Sequence, residues 1–421
     1  MAPAPDRYHA LDTLRAFAMF LGVGLHAGLS FLPNTPAFWP VQDERTVPLS
    51  DVLLYAVHDF RMQLFFLLAG FFCCLLQQRY GAAGMARHRV RRVAVPLALA
   101  VVFIAPTVQA AGMYAELGNL RAGVVRDGYS TFRGPAQELL TADPDASDAA
   151  LLTRYVASGR FLPDVPLAHL WFLYYLLFCY AAVLLVAPLL KRIGTRFRTG
   201  FDAAFRWVVA GPGRVPVLAL FTVPLLLPMR TWAVDTPPGW TPQWHILAYY
   251  FWFFAVGWQL FRHRDLVPTF GRGWGVNLTV ANVVVLPVLT VLVIAGMQTG
   301  RDGADTKGLW VGMCAALAAY TWLMITGLWG GFLRWFARDA AWSRYLADTS
   351  YWCYLTSLTP IILLQYWVRD LPLPGLVKFA LVTALTTAVL LASYEWCVRY
   401  TWVGAILNGR KERRTRPVSV P

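Results

Sequence analysis

Charge is what this chain has least of. Asp, Glu, Lys and Arg make up 14% of 421 residues against 57% hydrophobic ones, too little polar surface to solvate a water-soluble globule of this size. Acids are the scarcer half, 23 against 37 bases, for a formal charge of +14. In a membrane protein such an excess collects in cytoplasmic loops, so it does not argue for a nucleic-acid partner. Cysteine is also sparse. Cys73, Cys74, Cys179, Cys314, Cys353 and Cys397 lie inside apolar stretches without metal-like or disulfide-like spacing, as small packing residues. No internal repeat, inverted pair of broken helices or low-complexity linker is visible, which counts against a transporter. The first apolar stretch lacks a small-residue cleavage pattern and carries Arg15 and His26, so it reads as a retained helix rather than a signal peptide.

What the chain has in quantity is apolar runs near the ~20 residues that cross a hydrocarbon core. They predict helices at 11–32, 52–77, 93–113, 167–190, 215–232, 244–261, 273–297, 308–331, 346–367 and 374–399. The expected fold is an all-α membrane bundle of about ten transmembrane helices, one integral-membrane domain over 1–421. Basic residues test the count, because they should concentrate in alternate loops. Arg79, Arg87, Arg89, Arg91 and Arg92 follow the second span without an acid, and Lys191, Arg192, Arg196, Arg198, Arg206 and Arg214 follow the fourth against Asp202. The connections near 262–272 and 334–344 and the tail from Arg410 continue the pattern, while the intervening loops are balanced or acidic. Both termini are therefore expected in the cytoplasm, with a basic tail at 400–421. The longer segment 114–166, carrying Asp143, Asp145, Asp148 and Asp164, is expected on the outer side of the membrane. Its stretch around 135–156 is expected to form short helices. Such a segment reads equally as a cap on the helix ends or as a platform for an external substrate.

Ionisable side chains inside a span cost roughly 2.5–3.5 kcal/mol on insertion scales and face a cavity, a partner or a pathway. Arg15 and His26 stand eleven positions apart on the first span, about 20° beyond three full turns and roughly 16 Å along the axis. They share one face, the cation toward the inner side and the titratable ring toward the outer. Gly22, Gly24 and Gly28 let other groups approach that backbone. The plain alternative is a snorkelling Arg15 and a His26 bonded to a neighbouring helix. The second span opens with His58, Asp59, Arg61 and Gln63, and the fourth with His169 before Trp171, all in the outer half. An aromatic belt explains Trp171 but not His169. On the inner side, Arg89 and Arg92 sit beside Arg87 and Arg91. Topology alone predicts such a cluster, yet guanidinium groups also grip phosphates bidentately. Glu395 either orients one of these arginines or makes a surface pair. His9, His88, His245 and His263 read as ordinary interfacial or loop residues.

Leu11-Asp-Thr-Leu-Arg15 followed by His26, with Arg89-Val-Arg-Arg92, resembles the acyltransferase 3 family of integral-membrane enzymes. The likeness covers nearly the whole chain. Phe60-Arg-Met-Gln-Leu-Phe-Phe66 with Ala69-Gly70, and His169-Leu-Trp-Phe-Leu173, resemble most the members that add succinyl groups to osmoregulated periplasmic glucans; Asn408-Gly409-Arg410 fits the same pattern. One departure is Tyr354-Leu-Thr-Ser357, where such proteins often have histidine at the last position. The resemblance implies an acyl-CoA donor, succinyl-CoA or acetyl-CoA, as a cytoplasmic substrate with no tightly bound cofactor and no metal. It implies a periplasmic glucan or other glycan as acceptor. His26 would be the general base, Arg15, Arg89 and Arg92 would hold the coenzyme's phosphates, Arg61 or His169 would meet the oxyanion or acceptor, and Asp59 would orient a base. The rival readings are a transporter or flippase for an acidic glycan or lipid, and a non-catalytic subunit of an envelope polysaccharide complex.

Overall fold

A computed structural model describes residues 8–33, 35–124, 130–159, 167–190, 194–237, 239–299, 304–338 and 340–409. The protein is all-helical, 81% helix, with no strand among the described residues. In chain order the helices are α1 (His9–Gly28), α2 (Ser50–Arg89), α3 (Val95–Leu99), α4 (Ala105–Arg121), α5 (Arg133–Ala142), α6 (Asp148–Ala157), α7 (Trp171–Leu190), α8 (Thr195–Ala210) and α9 (Arg214–Leu226). They continue with α10 (Trp244–Arg262), α11 (Val267–Phe270), α12 (Trp274–Thr279), α13 (Leu286–Thr299), α14 (Ala304–Trp335), α15 (Ala341–Thr356), α16 (Leu358–Val368), α17 (Gly375–Ser393) and α18 (Trp402–Leu407).

Among the described residues, six helical runs are long and apolar enough to cross a membrane, or seven if α8 and α9, bent by 118°, count as one broken span. The ten expected spans differ from this tally for identifiable reasons. The second and third fall in one continuous run, Ser50–Arg121, because the arginine-bearing connection is itself helical. Its only break is Gly81, at φ 69 and ψ 178, a conformation that only glycine adopts readily. The sixth is α10, whose apolar length is diluted by His245, Gln259 and several Trp and Tyr rings. The ninth is split at Ser357 into α15 and α16. Of the 114–166 segment, α4 extends to Arg121, and α5 and α6 form the expected short helices; 125–129 and 160–166 lie outside the described residues, as does 410–421 of the basic tail.

The chain divides into two compact units. The first comprises residues 1–21, 48–88 and 166–347. In it α14 packs against α9, α12 and α13. Thr222 Oγ1 on α9 accepts from Trp252 Nε1 of α10 at 2.9 Å and from Trp322 Nε1 of α14 at 2.8 Å, tying three helices at one hydroxyl. The backbones of α2 and α10 touch: a Cβ at Gly70 would overlap the Phe254 carbonyl, and one at Gly257 the Leu67 carbonyl. Small residues permit such an approach between membrane helices. By contrast, α13 turns Val288, Val291 and Ile294 outward and exposed, as suits a helix whose solvent is lipid.

The second unit comprises residues 22–47, 89–165 and 348–421. Here α4 packs against α5, α6 and α16, with Met113, Leu117, Ala136, Leu151 and Tyr155 as the shared core. A fully buried carboxylate, Glu116, receives Ser130 Oγ at 2.8 Å and Arg133 Nη1 at 3.3 Å, fixing the start of α5 to α4. Asn119 donates to the Pro40 carbonyl at 2.8 Å and accepts from Arg369.

Candidate active site

The residues singled out from the sequence fall in both units. Arg15, Asp59, Arg61 and His169 belong to the first, and His26, Arg89 and Arg92 to the second. α1 runs unbroken through Arg15 and His26, so the helical spacing that gives them one face holds.

In the first unit, Arg15 pairs with Asp12 one turn earlier at 3.3 Å and lies over the Phe72 ring at 5.6 Å. Its side chain keeps 39% of its surface exposed, so the guanidinium is oriented without being consumed. At the head of α2, His58 Nε2 meets the Val234 carbonyl at 3.1 Å, and the Asp59 carbonyl accepts from Thr321 Oγ1 of α14 at 2.8 Å. The Asp59 side chain is buried, and its Oδ1 has no partner among the described residues. One turn on, fully buried Gln63 donates to Tyr249 Oη at 3.0 Å while its Oε1, like the neighbouring Tyr250 hydroxyl, lacks a partner among the described residues. A cluster of polar atoms sealed from lipid is the environment that intramembrane ionisable groups need. His169 is buried on a single 3-10 turn ahead of α7. The preceding Ala168 sits at φ 40, a strained left-handed value for a residue with a Cβ, and that bend sets the histidine's direction. Arg61 is half-buried. Tyr249 and Tyr250 were not singled out from sequence; Gln63, at the head of the second span, was the available signal.

In the second unit, His26 is half-buried near the end of α1. Its ring lies parallel to the Trp39 indole, 6° between planes and 6.1 Å between centroids. Gln365 of α16 donates to the His26 carbonyl at 3.0 Å and to the Ala27 carbonyl at 2.9 Å. Arg89 closes α2, half-buried, and a π-helical turn, Val90–Ala94, follows. Arg92 Nη1 donates to the carbonyls of Ala405 at 3.2 Å and Ile406 at 2.7 Å, and its own carbonyl accepts from Tyr351 Oη at 2.9 Å. Arg92 therefore caps the C-terminal end of α18, a structural task beside any ligand task. Glu395 pairs with Arg399 at 2.8 Å, four positions on, the surface-pair reading. Back in the first unit, His263 faces Asp202 at 3.3 Å and His245 faces Asp235 at 3.8 Å.

Several helices long and apolar enough to cross a membrane mark a multi-pass membrane protein. The acyltransferase domain of the acyltransferase 3 family matches residues 8–395, and the chain belongs to that family. Among curated proteins it is similar to glucans biosynthesis protein C of Escherichia coli strains K12 and SMS-3-5 / SECEC, 33% identical over 102 residues. The protein of the same name in Escherichia coli O1:K1 / APEC gives the same identity. The matched stretch is 24% of this chain and 26% of those relatives, so the chain spans about a quarter of the length of the curated proteins it matches. No solved structure matches.

Proposed function

We propose that the protein transfers an acyl group, succinyl or acetyl, from cytoplasmic acyl-CoA to a hydroxyl of a periplasmic glucan or another envelope glycan, working in a bacterial inner membrane. Membership of the acyltransferase 3 family supports the reaction class, and the partial likeness to glucans biosynthesis proteins supports the acceptor. The observation that carries the catalytic reading is the half-buried His26 ring, held against Trp39 at the end of a helix that also bears Arg15.

Residues 1–421 act as one integral-membrane domain. About ten crossings keep both termini cytoplasmic, with 114–166 periplasmic and 400–421 a basic cytoplasmic tail. Arg15, Arg89 and Arg92 hold the phosphates of the coenzyme, guanidinium to phosphate. His26 takes the proton of the acceptor hydroxyl, whose oxygen attacks the thioester carbon, a step for which a near-neutral imidazole is suited and typically worth about 10²–10⁴-fold. Arg61 or His169 stabilises the oxyanion or orients the acceptor, and Asp59 orients a base. Collapse of the intermediate breaks the carbon–sulfur bond, and the coenzyme leaves as its thiol with the proton.

Purified protein incubated with labelled acyl-CoA donors and candidate glycans tests the reading, with mass analysis of the product identifying the acyl group. His26→Ala should abolish transfer while donor binding persists; near-normal turnover by that variant removes the proposed base. A purified protein that moves glycan or lipid across vesicles without acylating it belongs to the transporter class instead.

A further inference from the structure

We infer that Trp39 and Gln365 are positioning residues for the His26 imidazole, forming a clamp that fixes both its helix end and its ring; the inference rests on the proposed role of His26. The need arises from where His26 stands. The last four carbonyls of a helix have no partner within it, and α1 ends at Gly28. A base on this final turn would move with any fraying unless the carbonyls were met from elsewhere. Gln365 Nε2 meets two of them, the carbonyls of His26 and Ala27. The 3-10 turn that continues α1, Leu29–Phe31, is held in the same way: Thr35 Oγ1 donates to the carbonyl of Leu29 at 3.3 Å, the Asp43 N–H to that of Ser30 at 2.9 Å, and the Val47 N–H to that of Phe31 at 3.0 Å.

The orientation of the Gln365 amide is determined by chemistry. The indole N–H of Trp39 can only donate and backbone carbonyls can only accept. With Trp39 Nε1 at 2.9 Å from Gln365 Oε1, the amide oxygen must face Trp39 and both amide hydrogens must face α1. The same indole N–H also reaches Ser30 Oγ at 3.2 Å. Gln365 is 1% exposed and Trp39 4% exposed, so these bonds face no competition from bulk water. The Trp39 ring that orients the amide also lies flat against the His26 ring. One indole thus sets the imidazole's plane directly and its backbone through Gln365. The segment carrying Trp39 is anchored in turn, because buried Asp43 pairs with buried Lys378 of α17 at 2.8 Å.

A general base must sit within hydrogen-bond reach of the proton it takes, and small misplacements cost as much as about 10²-fold. Trp39→Phe keeps an aromatic ring against His26 and removes the N–H; Gln365→Met keeps volume and removes the amide. In the purified enzyme, assayed well below the unfolding temperature of each variant, each should lower kcat about tenfold or more, with the KM for acyl-CoA within about twofold. Wild-type kcat in both variants overturns the clamp. So does a loss of rate that comes with a raised donor KM, since that is the signature of general structural damage. His26→Ala run alongside separates the two claims: if it turns over normally the base assignment fails, whereas if it is inactive and both clamp variants are normal only the positioning claim fails.

Discussion

Of the two arginines proposed to grip the donor from the foot of the third expected span, Arg92 also holds a helix end. Arg92 spends one terminal nitrogen on the carbonyls of Ala405 and Ile406, while Arg89 is the last residue of α2. Arg89→Ala should weaken acyl-CoA binding. Arg92→Ala should weaken binding and also lose about 1–3 kcal/mol, the cost of charge-assisted bonds to helix-end carbonyls. Direct titration with a non-transferable donor analogue and thermal unfolding in detergent read the two effects separately. Unchanged binding in both variants would reduce the cluster to a marker of topology. At this scale the sequence exposed the groups whose presence in a span is expensive, Arg15, His26, Asp59 and His169, because cost is visible in one dimension. Trp39 and Gln365 cost nothing conspicuous, and their meaning lies in a contact across 326 positions that no periodicity encodes.

Apolar length located the helices well where aliphatic residues carry it, as in α13, and less well where aromatic rings and an occasional His or Gln do, as in α10. It could not reveal that Arg79 to Arg92 continues as helix past the Gly81 bend, since a cluster of arginines reads as a loop while its intervening alanines favour helix. Nor does it say which glycines are contact points. Gly70 and Gly24 look alike in sequence, yet a Cβ at Gly70 meets the Phe254 carbonyl of α10, while nothing lies within 4 Å of one at Gly24. Gly70→Ala should part α2 from α10 and destabilise the protein by about 1–3 kcal/mol, the range for overpacking. Gly24→Ala should be neutral or stabilising by up to about 1 kcal/mol through helix propensity. Thermal unfolding of both in the same detergent checks the contrast, and equal effects would mean that the α2–α10 backbone contact does not contribute to stability.

At the scale of the whole molecule, the alternation of basic and acidic connections decides which reactions the proposed residues can reach. Acyl-CoA is a cytoplasmic, phosphate-bearing donor, so Arg15, Arg89 and Arg92 serve it only if their ends of the helices face inward. The glycan meets His26 only if the far end of α1 faces the periplasm. The positive-inside rule predicts this orientation from residues remote from the chemistry, among them exposed Arg196 and Arg198 of α8. On the opposite side the proposed topology expects exposed Asp145, between α5 and α6. In a cysteine-free background, Asp145→Cys should be labelled by a membrane-impermeant maleimide added to intact spheroplasts. Arg198→Cys should be labelled only after permeabilisation. The reverse pattern would turn the arginines toward the periplasm, where no acyl-CoA reaches them, and would sink the donor assignment even if His26 proved essential.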